Sequence, residues 1–312
     1  MAANPILITT TGPRLVLDPP QARTFRSAAA DYWALTKPEV NLLIAIATFT
    51  GFYLAIPGLL RQFPWARLVH TLLGTLLVAS GTGTLNQYVE HRFDAQMRRT
   101  ARRPLAADRL KPSPVLWFGI VLASVGSIYL ATAVNLLTSL LAIVTLLCYL
   151  FLYTPLKRKT PLCILVGAFP GAMPPLIGWA AASGRLSLHA WILYGILFLW
   201  QFPHFMAIAW MYRQDYDRAG YSVLPRGQAR VRFVILQTML PLFVLLPLVL
   251  LPAAIGRQSV LYCFGALLLS LGFFYYGAQF VFRRSSAMAR WLLLASVIYL
   301  PLLFALMLLP PG

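Results

Sequence analysis

Only eight carboxylates occur in this 312-residue chain, and four of them fall in two short segments. The first segment reads LNQYVEHRFDAQMRRTARRPL, with Asn86, Glu90 and Asp94 spaced four apart. On a helix that spacing stacks the three side chains on one stripe, with Arg98 next in line. Three oxygen donors at a helix end suit a hard cation such as magnesium, which takes carboxylates together with phosphate oxygens and keeps some water. The basic run from Arg98 to Arg103 offers guanidinium forks that match a diphosphate. Spacing alone is equally compatible with a solvated helix end carrying ion pairs. On either reading Glu90 and Asp94 face water, so alanine at either position should cost little stability.

The second segment, WQFPHFMAIAWMYRQDYDRAGYSVLP, places Asp215 and Asp217 among Arg213 and Arg218. An Asp-Tyr-Asp triplet is weak by itself. It gains weight as the other acidic cluster on the same side of the membrane, because two acidic sites can hold two metals that bridge one diphosphate. No acid follows Asp217. Upstream of this pair stands His204, inside an apolar run and preceded by Pro203. A histidine there is either a packed, hydrogen-bonded residue or a ligand for heme or substrate. A third segment, YTPLKRKTPLCILVGAFPGAMPPLIGW, runs from a basic turn into a stretch rich in glycine and proline. Gly167 and Gly171 form GxxxG, which permits close helix approach. Pro170, Pro174 and Pro175 predict a kinked or broken helix lining a cavity.

The elements that must position these residues are membrane spans. The chain is 59% hydrophobic and 11% charged, with a mean hydropathy of +0.72. Continuous apolar runs begin near Leu42, Val69, Val115, Leu137, Leu162, Ala190, Phe233, Leu261 and Trp291. Each is long enough for a helix crossing the bilayer, and continuous rather than alternating hydrophobicity excludes a barrel. The fold class predicted is therefore all-α, a polytopic membrane protein of about nine helices. Residues 1–30 are predicted to be a cytoplasmic, disordered tail and residues 31–312 the membrane domain.

The net charge of +18 is not a nucleic-acid signature here. Eighteen of the 26 basic residues lie in four alternate connections, while Arg61, Arg67, Arg185 and Arg257 alone occupy the others. By the positive-inside rule the basic connections, the N-terminus and both acidic segments face the cytoplasm. Cys148, Cys163 and Cys263 are scattered through apolar runs with no CxxC spacing, which leaves no zinc or redox motif.

Taken together, YWALTKPEVNLL, LNQYVEHRFDAQMRRTARRPL, YTPLKRKT, PGAMPPLIGWAA, WQFPHFMAIA and DYDRAGYSVLP resemble the membrane prenyltransferase superfamily. WQFPHF and DYDRAGYSVLP resemble its heme O synthase branch, whereas the NxxxExxxD spacing is shared more widely. The resemblance implies a helical ring around a central cavity open to the cytoplasm, in a bacterial inner membrane. It implies magnesium as cofactor, and farnesyl diphosphate and heme B as substrates, joined at a heme vinyl group to give heme O. A complex with the enzyme that oxidises heme O to heme A follows by family analogy alone. Carried over, Asn86, Glu90, Asp94 and Asp215 match the acidic motifs, with Asp217 the neighbour of the last. Arg98, Arg102, Arg103, Lys157 and Arg158 match the basic positions near the diphosphate. Cys163 stands near a place where asparagine is frequent, Glu90 where aspartate is frequent, and SVLP where PMLP is commoner. Two other classes remain open: a prenyltransferase for an aromatic quinone precursor, and a transporter. A transporter would carry polar residues at mid-span in both halves; here they gather at one face.

Overall fold

The computed structural model describes residues 25–56, 63–255 and 258–309. Most of the predicted tail, residues 1–24, lies outside them. Residues 25–30, expected in that tail, are instead the opening turns of α1 (Phe25–Leu35), an alanine-rich stretch with no helix breaker. The spans follow: α2 (Pro38–Leu54), α3 (Trp65–Asp94), α4 (Pro112–Ala133) and α5 (Leu136–Leu147). The last continues through a π-helical turn at Cys148–Tyr153 into α6 (Thr154–Leu156). Next come α7 (Cys163–Gly171), α8 (Pro174–Ser183) and α9 (Leu188–Met211). The chain closes with α10 (Arg213–Arg218), α11 (Ala229–Leu248), α12 (Leu251–Ala254), α13 (Val260–Arg283) and α14 (Ser286–Met307). Among the described residues eight helical stretches are long and apolar enough to cross a bilayer, and the 17-residue α2 is a shorter apolar helix beside them. Together they account for the nine predicted spans, each starting within five residues of the expected point.

The spans pack as a ring. α2, α3, α4 and α5 touch in sequence, α9, α11, α13 and α14 form the other side, and α14 returns to α2. The broken pair α7–α8 packs against α2, α3, α5 and α9 and is the most enclosed of the long spans among the described residues. Pro174 and Pro175 open α8 at the break, where their missing N–H groups cost nothing. Glycine lets α8 lie directly on α2: a Cβ at Gly178 would collide with the Thr48 carbonyl, and one at Gly51 with that of Pro175. Outward faces carry Val, Leu, Ile and Phe, as lipid contact requires. Trp33, Trp65, Trp117, Trp191 and Trp291 are at least half exposed, each near a helix end, the placement of interfacial tryptophan belts. The protein is a membrane protein of helical bundle architecture, and every predicted site residue but His204 falls at one end of it.

Candidate active site

α3 ends at Asp94, and its last three turns carry Asn86, Glu90 and Asp94 on its buried side, as the spacing predicts. They do not face water. Asn86 is 1%, Glu90 5% and Asp94 1% exposed, which corrects the expectation of a solvated helix end. Partners remote in sequence cover them. Asn86 Nδ2 donates to Glu90 Oε2 at 2.9 Å and to Thr154 Oγ1 at 3.2 Å. Lys157 Nζ donates to both Glu90 oxygens at 2.9 and 3.0 Å. Arg103 Nη1 reaches Asp94 Oδ2 at 2.7 Å. Because α3 stops at Asp94, Arg98 leaves the stripe. The Asp94 carbonyl that would have continued the helix accepts from Met97 N and from the Thr100 hydroxyl.

Residues 95–111 therefore fold back as a turn-rich segment pinned by three carboxylates. Asp94 holds Arg103, Asp31 of α1 holds Arg109 Nε at 3.0 Å, and Asp215 of α10 accepts from the Arg99 backbone N–H at 3.4 Å. Asp215 is 7% exposed and also pairs with Arg218 at 3.6 Å. Asp217 lies two positions along the same short helix and so points elsewhere; it is exposed and pairs with Arg230 of α11 at 3.3 Å. The structure thus gathers Asn86, Glu90, Asp94, Asp215, Arg103 and Lys157, and leaves Asp217, Arg98 and Arg102 exposed. Arg158 lies over the Phe93 ring at 4.3 Å.

Lys157 owes its place to the π-turn. Thr154 N–H bonds the Tyr149 carbonyl five residues back, and the Thr154 hydroxyl donates to the same oxygen at 2.8 Å. Such turns recur at functional sites. This one turns Thr154 towards Asn86 and puts Lys157 Nζ 4.5 Å from the Tyr153 ring centroid. Gly167 of α7 admits that ring, since a Cβ there would meet it at 2.6 Å. Burial lowers the lysine's basicity, but the Glu90 carboxylate outweighs it and holds the Lys157 ammonium well above the usual lysine range. It stays charged.

Two members of the site lie inside the stretches YTPLKRKT and YWALTKPEVNLL but outside the acidic and basic positions singled out there. Thr154 is one. The other is Lys37, whose Nζ donates to Asn86 Oδ1 at 3.0 Å. It occupies the left-handed region (φ 53°) immediately before Pro38. That strained conformation costs about 1–2 kcal/mol for a non-glycine residue and aims the side chain across at α3. Burial, then the nearby Arg103 and Lys157 charges, bring its pKa down to about 7. A lone basic residue at the foot of the first span is the signal that could have found it.

Among the described residues no three His, Cys, Asp or Glu side chains converge as a ready metal cage. The donor chemistry nevertheless fits magnesium: amide and carboxylate oxygens without sulfur or imidazole. Ammonium and guanidinium groups fill the positions that a divalent ion would share.

His204 stands apart, on α9 against α14. Its Nδ1 is 2.8 Å from Ser296 Oγ, and the Ser296 hydroxyl already donates to the Leu293 carbonyl at 2.6 Å. Ser296 has one proton to give, so His204 donates from Nδ1 and Nε2 keeps its lone pair. The ring stacks on Trp200 with centroids 4.8 Å apart.

The chain is similar to known proteins over most of its length. A family model described as the UbiA prenyltransferase family matches residues 44–308. A protein of Solibacter usitatus named protoheme IX farnesyltransferase is 46% identical over 90% of this chain and 99% of its own. Its namesake in Koribacter versatilis is 41% identical over 91% and 94%. Among solved structures, a digeranylgeranylglyceryl phosphate synthase superposes with a TM-score of 0.71 at 16% identity, over 90% of this chain and 97% of that one. A UbiA homolog of Archaeoglobus fulgidus bound to GPP and Mg2+ gives 0.61 at 13%, over 89% and 99%. At those identities the structures speak for the fold alone, while the family match spans most of the membrane domain: the chain belongs to the UbiA prenyltransferase family.

Proposed function

We propose that the protein transfers the farnesyl group of farnesyl diphosphate to a vinyl group of heme B, forming heme O. The observation that carries the reading is the buried network of three carboxylates and their cations at one end of an apolar bundle, in a chain 46% identical to a protoheme IX farnesyltransferase. Breaking an allylic diphosphate needs fixed positive charge where the leaving oxygens collect electrons. Lys157, Lys37 and Arg103 supply it, with the exposed Arg98, Arg102 and Arg158 adding charge around the entrance. Magnesium, held by Asn86, Glu90, Asp94 and Asp215, would withdraw further charge from the diphosphate. The farnesyl chain lies in the apolar ring. The Tyr149 and Tyr153 rings, 5.1 Å apart, offer negative faces to an allylic cation. His204 supports the heme, its Nε2 lone pair serving as a ligand or acceptor while Ser296 fixes the tautomer.

The basic connections put this end on the cytoplasmic side of the inner membrane. Single cysteines at Arg99, Lys157 and Arg218 should label only from that side in sealed vesicles. The decisive assay combines purified protein, heme B and farnesyl diphosphate with and without magnesium, and weighs the heme. Heme gaining one farnesyl and one hydroxyl group, only with metal, is expected. Transfer to an aromatic quinone precursor with heme untouched would overturn the acceptor, and turnover in chelator would overturn the metal.

A further inference from the structure

Tyr221 belongs to the loop after α10 and has no assigned part in the site. It is 6% exposed, and its hydroxyl is buried without a hydrogen-bond partner. Buried hydroxyls are ordinarily paired, so an unpaired one beside a site asks for an acceptor that arrives with the ligand. The loop cannot swing the group away. Gly220 turns the chain at φ +71°, and Tyr221 N–H bonds the Tyr216 carbonyl at 2.9 Å. Next along, Ser222 donates from its backbone to the Lys157 carbonyl at 2.7 Å and from its side chain to that of Arg158 at 3.2 Å. The ring is held edge-on by Phe93, one residue before Asp94, at 5.8 Å, and by Tyr216 at 6.0 Å. Glu90, Lys157 and Asp94 are the charges that act on the phenol, and burial above all keeps it protonated. Glu90 is close enough to bear on the phenol, but its oxygens already take three hydrogen bonds, two from Lys157 and one from Asn86, and the phenol makes none of hydrogen-bonding geometry to it.

We propose that the Tyr221 hydroxyl donates a hydrogen bond to the diphosphate of the prenyl substrate, a neutral donor completing a cradle otherwise made of cations. The inference rests on the reading that this site takes a prenyl diphosphate. When the bond from the prenyl carbon to the diphosphate oxygen breaks, the electron pair stays with the diphosphate, and the hydrogen bond strengthens as that charge grows. The phenol proton remains on Tyr221.

Tyr221→Phe keeps both ring contacts and removes only the donor. Single-turnover farnesyl transfer at saturating substrate should slow about tenfold or more. Binding of inorganic pyrophosphate, read by calorimetry, should weaken several-fold, with melting temperature and heme affinity unchanged. A variant whose rate and pyrophosphate affinity both stay within twofold of wild type would overturn the proposal. So would loss of heme affinity with pyrophosphate binding intact, because the hydroxyl would then serve the heme. Wild-type protein that binds pyrophosphate but forms no heme O would end the functional reading, and the binding comparison would still decide the role of Tyr221.

Discussion

Replacing Glu90 with glutamine tests whether the site is a buried electrostatic network or a solvated helix end. Lys157 Nζ sits 2.9 Å from one Glu90 oxygen and 3.0 Å from the other, and the two side chains are 14% and 7% exposed. Removing one partner of such a pair strands the other charge, at a cost of about 3–5 kcal/mol. Glutamine still accepts one ammonium proton, so the lower end of that range is expected for Glu90→Gln. Adding Lys157→Met removes the stranded charge and should restore stability to within about 1–2 kcal/mol of wild type. The pH dependence carries a sign. In wild type Glu90 raises the Lys157 pKa, so the pair's contribution is complete below the ordinary lysine pKa and is lost only as pH climbs through the raised value. In the variant burial acts alone and depresses that pKa, the unfolded chain then holds more protons, and stability rises with pH. Thermal unfolding of purified protein in detergent from pH 7 to 9.5 should show Glu90→Gln recovering more steeply than wild type, while farnesyl transfer stays lost throughout. A variant as stable as wild type at pH 7, with an unchanged pH profile, would refute the network.

The two aspartates of the second segment should separate cleanly. Asp215→Asn should reduce transfer about a hundredfold, as loss of a preorganised charge does; Asp217→Asn should stay within about threefold, because its exposed pair with Arg230 contributes only about 0–1 kcal/mol. Equal losses in a steady-state assay would count against the geometry. Lys37, with its pKa near 7, makes wild-type stability rise with pH between about 7 and the ordinary lysine value near 10. Lys37→Met should flatten that rise in unfolding measured across the same range, and an unchanged slope would exclude the lysine as its source. His204→Ala should weaken heme binding in a Soret titration while leaving pyrophosphate affinity intact; undiminished heme affinity would reduce the residue to packing against Ser296.

Spans and stripe were legible because hydropathy and spacing are local properties. Continuous apolar runs located the membrane helices, Pro174 and Pro175 the break between α7 and α8, and a four-residue period the common face of Asn86, Glu90 and Asp94. Misjudged were features settled by contacts across long sequence separations. Nothing between Ala95 and Arg99 reads as a helix breaker, yet α3 stops at Asp94 because Thr100 and Met97 claim its carbonyl and Asp215 draws in the Arg99 backbone. Charge reads locally as exposed, so Glu90 and Asp94 looked solvated, but Lys157 and Arg103 cover them. Lys37 and Tyr221 stand inside matched stretches but share no spacing with the carboxylates that would single them out. The first is placed by its own left-handed conformation before a proline, the second by a glycine turn and by the bond of its neighbour Ser222 to the Lys157 carbonyl.

Charge balance explains why so few acids are needed and why they are buried. Glu90, Asp94 and Asp215 face Lys157, Arg103, Arg218 and a Lys37 that is about half protonated near neutrality. The resting network is therefore close to neutral, the condition under which so many charges can be kept out of water. A prenyl diphosphate brings several negative charges into that environment. Cations already committed to carboxylates can turn toward phosphate only by leaving those carboxylates uncompensated. A divalent metal held by the carboxylates would resolve the conflict, because it would return positive charge to them and leave the lysines and Arg103 to engage the diphosphate. Metal and diphosphate should therefore bind as a pair, each raising the affinity for the other by the same factor. The segment 95–111, tied at Asp94, Asp31 and Asp215, is the element whose contacts that exchange would redistribute.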